Sequence, residues 1–393
     1  MKCLKCGQEN RNDIKRCVNC STPLLWTPDS DSDEHVVIKV SRLAIAAIVL
    51  ASCGLLFIFF GFLAPYARTQ SPISSIRGLF FLLSLIMFIL AFICGFIGLI
   101  GIEISGGKKT GISFAIGAIV ASVLGCILPV GVLFLTRTRS VAFVMVCGTN
   151  LSGLGKAMLI YANDYDDEFP RAGGKGSTWG QSVNYAAATR HQAYGLNSQG
   201  TGGSATISSS LYLLVKYAEV TPKSFICQSR SKDGTGDKGV SEFKPSGNID
   251  LISLWDFGPE PWKHNSYAYH MPYGPNALTT SSNPAMAVAA DRNPWIPSLG
   301  WGVKNFNSFS PDGGKNFTKI GNAPCHRDEG QNVLFLDSHV NFEDKSFCGI
   351  NQDNIYTSWN GSDIRKGTPP KVGSQPVDKL DSLLVNDPPL QKP

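Results

Sequence analysis

Ser140 to Pro170 reads SVAFVMVCGTNLSGLGKAMLIYANDYDDEFP. Within it Leu151, Leu154, Met158 and Tyr161 follow at steps of three, four and three, the period that places apolar side chains on one stripe of an α-helix. Pro170 closes the helix-compatible run, since proline lacks the N–H that would continue the ladder and turns the preceding residue away from helix. Upstream the pattern has no break: an uncharged stretch from Thr110 to Thr136 leads in, with only Arg137 and Arg139 between. The sequence thus predicts a helix that is lipid-compatible first and amphipathic second, its later turns packing on a soluble domain.

Two more uncharged stretches, Leu43 to Ala67 and Gly78 to Ile102, are also long enough to cross a hydrocarbon core of about 30 Å. The chain of 393 residues is 43% hydrophobic and 17% charged, and most of the apolar excess lies between Leu43 and Leu135. Buried helices of a soluble protein rarely run so far without a charge, and a cleaved signal peptide does not follow a Cys-rich module. Three transmembrane helices are expected, in contact with membrane lipid. Lys2, Lys5, Arg11, Lys15, Arg16, Lys39 and Arg42 precede the first, and Lys108 and Lys109 lie in the second loop, against Arg68 and Arg77 in the first. That asymmetry places the head and second loop in the cytoplasm of an inner-membrane, multi-pass protein, and the C-terminal domain in the periplasm or beyond. No carboxylate, Lys or Arg stands mid-helix, which argues against an ion pathway. Gly95, Gly98 and Gly101, with the stripe Gly117, Ala121 and Gly125, read instead as helix packing.

The head, MKCLKCGQENRNDIKRCVNCSTPL, carries Cys3 and Cys6, then Cys17 and Cys20. Two Cys-x-x-Cys knuckles complete a tetrahedral four-sulfur site suited to structural zinc, with no coordination position left for a substrate. Disulfides are the alternative reading, which a reducing compartment opposes. The head resembles the small zinc ribbons at the N-termini of many bacterial membrane proteins, with Ser21 where that family usually has Gly. Residues 25–40, with the acidic run DSDSDEH, read as a polar linker.

Beyond the long helix, CHRDEGQNVLFLDSHVNF (Cys325 to Phe342) alternates as two strands joined at Asp337-Ser338, a two-residue hairpin in which Ser carries a Cβ into positive φ. With Cys147 to Pro170, FICQSR at Phe225, NSYAYH at Asn265 and VAADRNP at Val288, it resembles the pseudopilin G-like proteins abundant in planctomycetes. Their closing signature, the prepilin-type processing-associated motif, is His, nine residues, then Asp-Gly. Here ten residues separate His326 from Asp337, and Ser338 replaces Gly. Residues 42–136 resemble a bacterial membrane domain of unknown function. Together with the resemblances, these readings give a multi-domain membrane protein: zinc ribbon (1–24), linker (25–40), three transmembrane helices (41–136), an α+β pilin-like domain with a long N-terminal helix and an antiparallel sheet (137–368), and a tail (369–393) whose proline-rich composition reads as disordered. No prepilin leader precedes the third helix, and Ile112-Ser113-Phe114-Ala115-Ile116 has no Glu at the fifth position, so the chain is expected to stay full length.

Candidate chemistry is sparse. Asp164, Asp166 and Asp167, with Glu168, are dense enough in oxygen ligands for calcium, though they lack the EF-hand pattern. His326 and Asp337 could join them in a secondary metal site or serve a metal-dependent hydrolase, whereas turn chemistry accounts for the same residues. Cys147, Cys227, Cys325 and Cys348 are an even set, open to one or two disulfides in an oxidising compartment. Trp179, Trp255, Trp262, Trp295, Trp301 and Trp359 suit core packing before glycan stacking. Gly195 to Ser210 reads as a loop insertion. Scattered Lys and Arg, with a net charge of +5, argue against nucleic acid. No nucleophile elbow, phosphate loop or His-Glu-x-x-His motif appears. The expectation is a non-enzymatic envelope protein, scaffolding in a secretion or cell-envelope system. The alternative is an exported glycan- or peptide-binding domain reporting to a cytoplasmic zinc ribbon.

Overall fold

The computed structural model describes residues 2–3, 5–11, 14, 16–23, 39–63, 72–105, 109–227, 240–247, 249–298, 302–359 and 362–390; at 62–63, 72–78 and 128–140 it describes backbone alone. Most of the expected linker, and Trp301, lie outside these residues. The chain divides into two compact units, Met1–Val130 and Gly131–Pro393.

In the first unit, β1 (Lys39–Val40) leads into α1 (Arg42–Leu63), α2 (Pro72–Ile104) follows, and β2 (Lys109–Thr110) opens α3 (Ile112–Asp164). Strands β1 and β2 pair in parallel, so the chain before α1 meets the α2–α3 connection. Large apolar side chains such as Leu55, Leu56, Phe59, Ile86 and Phe96 are exposed, as lipid-facing residues are in the absence of a membrane. Small residues fix the contacts between helices. Phe88 is buried with its ring 3.0 Å from where a Cβ on Gly54 would stand and 2.4 Å from one on Gly125, and a Cβ on Gly98 would lie 3.3 Å from the Ala44 backbone. Gly101, by contrast, faces open space.

Among the described residues three helices are long and apolar enough to cross a membrane. The first two match the sequence expectation, but the third is Val141–Asp164 and not the expected Thr110 to Thr136, of which Ile112–Ile127 is described as a shorter apolar stretch. Arg42–Gly61 and Leu79–Ile104 have mean hydropathies of 2.8 and 2.9; the third qualifying segment, Val141–Asp164, reaches 1.4. The lower value has a physical cause. Cys147, Leu151, Leu154, Met158 and Tyr161 are buried in the core of the second unit, so this half of α3 is the amphipathic part. Ile112–Ile127 is its purely apolar part, and the side chains of 128–140 lie outside the described residues.

The second unit is a five-stranded antiparallel sheet in the order β8-β7-β6-β5-β9: β5 (Tyr267–His270), β6 (Ala287–Asp291), β7 (Gln331–Phe335), β8 (Val340–Glu343) and β9 (Leu384–Val385). Two-residue strands β3 (Thr178–Trp179) and β4 (Ser204–Ala205) pair apart from it. Strands β5, β6 and β7 are buried along their whole length, which requires cover on both faces. Helix α3 covers one, close enough that a Cβ on Gly155 would stand 2.7 Å from Leu334 Cδ1, and Tyr269 donates its hydroxyl to Pro170 O at 3.0 Å. The C-terminal segments meet the sheet elsewhere: Asn293 donates to both Tyr356 O and Leu384 O at 2.8 Å.

Three sequence expectations need correction. The tail is not disordered through 369–390: Leu383, Leu384 and Val385 are fully buried and β9 completes the sheet. Its apolar run is too short, and too flanked by proline, to register as a strand. Gly195 to Ser210 is not wholly loop, since after α4 (Arg190–Tyr194) the residues Ser208 to Ser210 form the buried first turn of α5 (Ile207–Tyr217), capped by the Thr206 hydroxyl. The β7–β8 hairpin forms as predicted but with three linking residues. Phe335 N–H donates to His339 O, and Ser338, at φ 71, holds the left-handed position of a three-residue loop.

Candidate metal centre

The two head knuckles repeat one hydrogen-bond plan. Cys3 N–H donates to Gln8 O at 2.9 Å and Gly7 N–H to Cys3 O at 2.8 Å; Cys17 N–H donates to Thr22 O and Ser21 N–H to Cys17 O, both at 2.9 Å. Each plan needs a left-handed residue after its second Cys, and Gly7 (φ 74) and Ser21 (φ 56) supply it. The departure from glycine at Ser21 is therefore a backbone matter. The knuckles bring Cys3 Sγ within 3.5 Å of Cys20 Sγ and Cys6 Sγ within 3.6 Å of Cys17 Sγ. A tetrahedral Zn–S length of about 2.3 Å demands edges of roughly 3.8 Å, so the thiols already stand near zinc spacing. Asn10 Nδ2 donates to Cys17 Sγ at 3.4 Å, the outer support that orients thiolate ligands. Burial alone would raise the Cys17 thiol, but the backbone amides of Asn19 and Cys20 and the Asn10 side chain bring it down to about 6. Cys3, Cys6, Cys17 and Cys20 form a cluster that could hold a metal ion, and its composition fits zinc.

Among the described residues no cysteine pair is joined as a disulfide. Cys147 and Cys227 do meet, and the structure adds two partners. Cys147, Cys227, Asp291 and His326 place their ligand atoms within 4.8 Å of one another, all buried. Asp291 ends β6, where VAADRNP signalled only strand and turn, so sequence reasoning missed it. Cys325 is buried beside this group, and Cys348 lies apart with its thiol toward Ser346 O at 3.9 Å.

The geometry centres on one imidazole nitrogen. His326 Nε2 lies 3.2 Å from Asp291 Oδ2, 3.6 Å from Cys227 Sγ and 3.3 Å from Asn332 Nδ2. Asn332 N–H donates to the same Asp291 oxygen at 2.7 Å, while Asp291 Oδ1 is buried with no hydrogen-bond partner among the described residues. Burial opposes the imidazolium, but the Asp291 carboxylate outweighs it and lifts His326 to about 10. His326, Arg327 and Asp328 are all left-handed, at φ 55, 61 and 57, without a glycine. Such residues cost roughly 1 kcal/mol or more each, so the surrounding fold holds this turn in place.

The other candidates do not converge. Asp164, Asp166 and Asp167 are exposed where α3 ends, with Asp166 and Asp167 left-handed (φ 52 and 59). Asp337 sits exposed in the β7–β8 loop and pairs with the ring of His339, which stacks on Phe335. Neither set shares a ligand cluster with His326 among the described residues. Trp179, Trp255, Trp262 and Trp295 are buried, as core residues are. Comparison with known proteins returns no matching family model, no matching curated protein and no matching solved structure.

Proposed function

We propose that this chain is a membrane-anchored, non-catalytic envelope protein: a cytoplasmic zinc-bearing head, a three-helix anchor, and an exported pilin-like domain that contacts envelope or secretion-system proteins. The observation that carries the reading is α3, one helix of 53 residues whose first part is apolar and whose second part supplies a face of the sheet domain's core. A helix shared between an anchor and a soluble core is how pilin-like proteins are built. The β1–β2 pairing supports the topology, because it puts the chain before α1 and the Lys109 loop at the same end of the helices, where the positive-inside asymmetry also gathers charge. Cysteine-accessibility mapping at Lys5 and Ser246 tests it: labelling from opposite sides is expected, and labelling from one side defeats the reading. Crosslinking in native membranes, read by mass spectrometry, then identifies the contacts.

A second reading has one observation in its favour. Trp179, Trp295, Pro297, Pro369 and Pro388 line a groove of about 630 Å³, and the buried Trp295 indole N–H has no acceptor among the described residues. The groove is of ligand size and lined by aromatic and proline side chains, as the exported binding-domain alternative requires. Quenching of tryptophan fluorescence by oligosaccharides or proline-rich peptides, lost in Trp295→Phe, would favour it over scaffolding.

A further inference from the structure

Cys147 comes from α3, Cys227 from the segment after the turn Pro222–Phe225, Asp291 from the end of β6, and His326 from the left-handed turn before β7. We propose that these four side chains form a second, closed metal centre in the sheet domain, taking zinc or a comparably thiophilic divalent ion through two thiolates, one carboxylate oxygen and His326 Nε2.

Spacing is the first support. Tetrahedral zinc, with Zn–S about 2.3 Å and Zn–N and Zn–O about 2.0–2.1 Å, sets S···N edges near 3.5 Å and N···O edges near 3.3 Å. The structure has 3.6 Å for Cys227 Sγ to His326 Nε2 and 3.2 Å for His326 Nε2 to Asp291 Oδ2. Second, a single ring nitrogen faces both a carboxylate oxygen and a thiol sulfur, more than its one in-plane lone pair or N–H can serve. A cation between them resolves that crowding. Third, Asp291 is wholly buried, and although His326 faces its Oδ2, its Oδ1 lacks a partner among the described residues, a costly arrangement for a carboxylate that a divalent ion compensates more fully than one imidazolium. Asn332 holds Oδ2, the oxygen at ligand spacing, through its backbone N–H, as outer-shell groups orient ligating carboxylates. Two thiolates and an imidazole select zinc over calcium, and four protein ligands leave no site for a substrate. Binding releases both thiol protons and any proton on His326, leaving a centre of one net negative charge.

The rival arrangement is a Cys147–Cys227 disulfide, and one set of measurements separates the two. Full-length protein is extracted in detergent after thiol alkylation in the membrane for peptide mapping, and a parallel unalkylated sample is equilibrated with Zn²⁺, desalted and assayed for metal. Two zinc ions per chain are expected, one in Cys3→Ser/Cys17→Ser, and close to none when Cys227→Ser or His326→Asn is added. Because those buried variants could fail to fold, Co²⁺ loading of Cys3→Ser/Cys17→Ser gives an independent reading. Intense tetrahedral d–d bands with thiolate charge-transfer absorption are expected from about one Co²⁺ per chain. One zinc per wild-type chain, octahedral-type weak Co²⁺ spectra, or recovery of Cys147 and Cys227 peptides joined as a disulfide would each overturn the proposal.

Discussion

Cys3 and Cys20 are 17 residues apart and meet on two knuckles that repeat the same hydrogen bonds, whereas Cys227 and His326 are 99 residues apart and meet only because β6, β7 and α3 have already packed. Ligand spacing is similar in the two clusters, at 3.5 and 3.6 Å in the head against 3.6 and 3.2 Å in the sheet domain. Their dependence on the rest of the molecule differs. A head this short has almost no core, so a metal ion at its four cysteines would carry most of its stability, whereas the sheet domain has a large apolar core of its own.

Removing the head's ion is the strongest way to test that contrast. Zinc binding contributes an apparent ~10–16 kcal/mol in small zinc modules, far above what about twenty residues can otherwise assemble. In Cys3→Ser/Cys17→Ser, or in wild type with chelator, amide hydrogen exchange across 2–23 should rise to unprotected rates while β5 to β7 keep full protection. Unchanged protection in the head would show that it folds without metal.

The converse test strikes the sheet domain where α3 sits on β7. A branched side chain at Gly155 would push into Leu334 within the core, and Gly155→Val should cost roughly 2 kcal/mol by overpacking. Gly153, two residues earlier, faces open space, so Gly153→Ala should stabilise by about 0.5–1 kcal/mol through helix propensity alone. Denaturant unfolding followed by near-UV circular dichroism reads both. Equal effects at the two glycines would mean that α3 does not seat on β7 as described.

A pH series sharpens the comparison further, because the sheet domain buries several carboxylates whereas the one described carboxylate of the head, Glu9, is exposed. Asp256 is fully buried near Asp387, and desolvation first, then that neighbour's charge, lift it from 3.8 to about 8 despite hydrogen bonds from Thr206, Ser208 and the Phe257 N–H. A carboxyl raised on folding keeps a proton that the unfolded chain gives up. Its contribution is therefore most favourable below pH 4 and is lost as pH rises toward 8. Thermal midpoints of Asp256→Asn should fall less between pH 4 and 8 than those of wild type. Parallel curves would remove Asp256 from the account.

What was legible in the sequence follows the same division. The four head cysteines, the apolar helices, the stripe Leu151, Leu154, Met158 and Tyr161, and the β7–β8 hairpin are short-range patterns whose period or spacing states the geometry. His326 and Cys147 stood out as residue types, but nothing local joins them. Sequence proximity offers His326 the neighbour Asp337, whereas the fold supplies Asp291, from a strand whose sequence signals only a strand. The tail is illegible for a related reason: Leu383 to Val385 gain their meaning from the sheet edge they complete.

The smallest expected effects compare the two serines that stand where glycine is the easier residue. Ser21 (φ 56) closes the second head knuckle, and Ser338 (φ 71) closes the β7–β8 loop. Glycine relieves the left-handed penalty of about 1 kcal/mol but gives back part of it as unfolded-state entropy, so each Ser→Gly change should gain about 0.5 kcal/mol. The readouts must differ if the head depends on its ion and the sheet domain does not. Since head folding and metal binding are one equilibrium, Ser21→Gly should tighten zinc binding about twofold in chelator competition. Ser338→Gly should raise the sheet domain's unfolding midpoint and leave zinc competition at the head unchanged. A rise in domain stability from Ser21→Gly, with no change in zinc affinity, would show the head to be stabilised by contacts beyond its own knuckles.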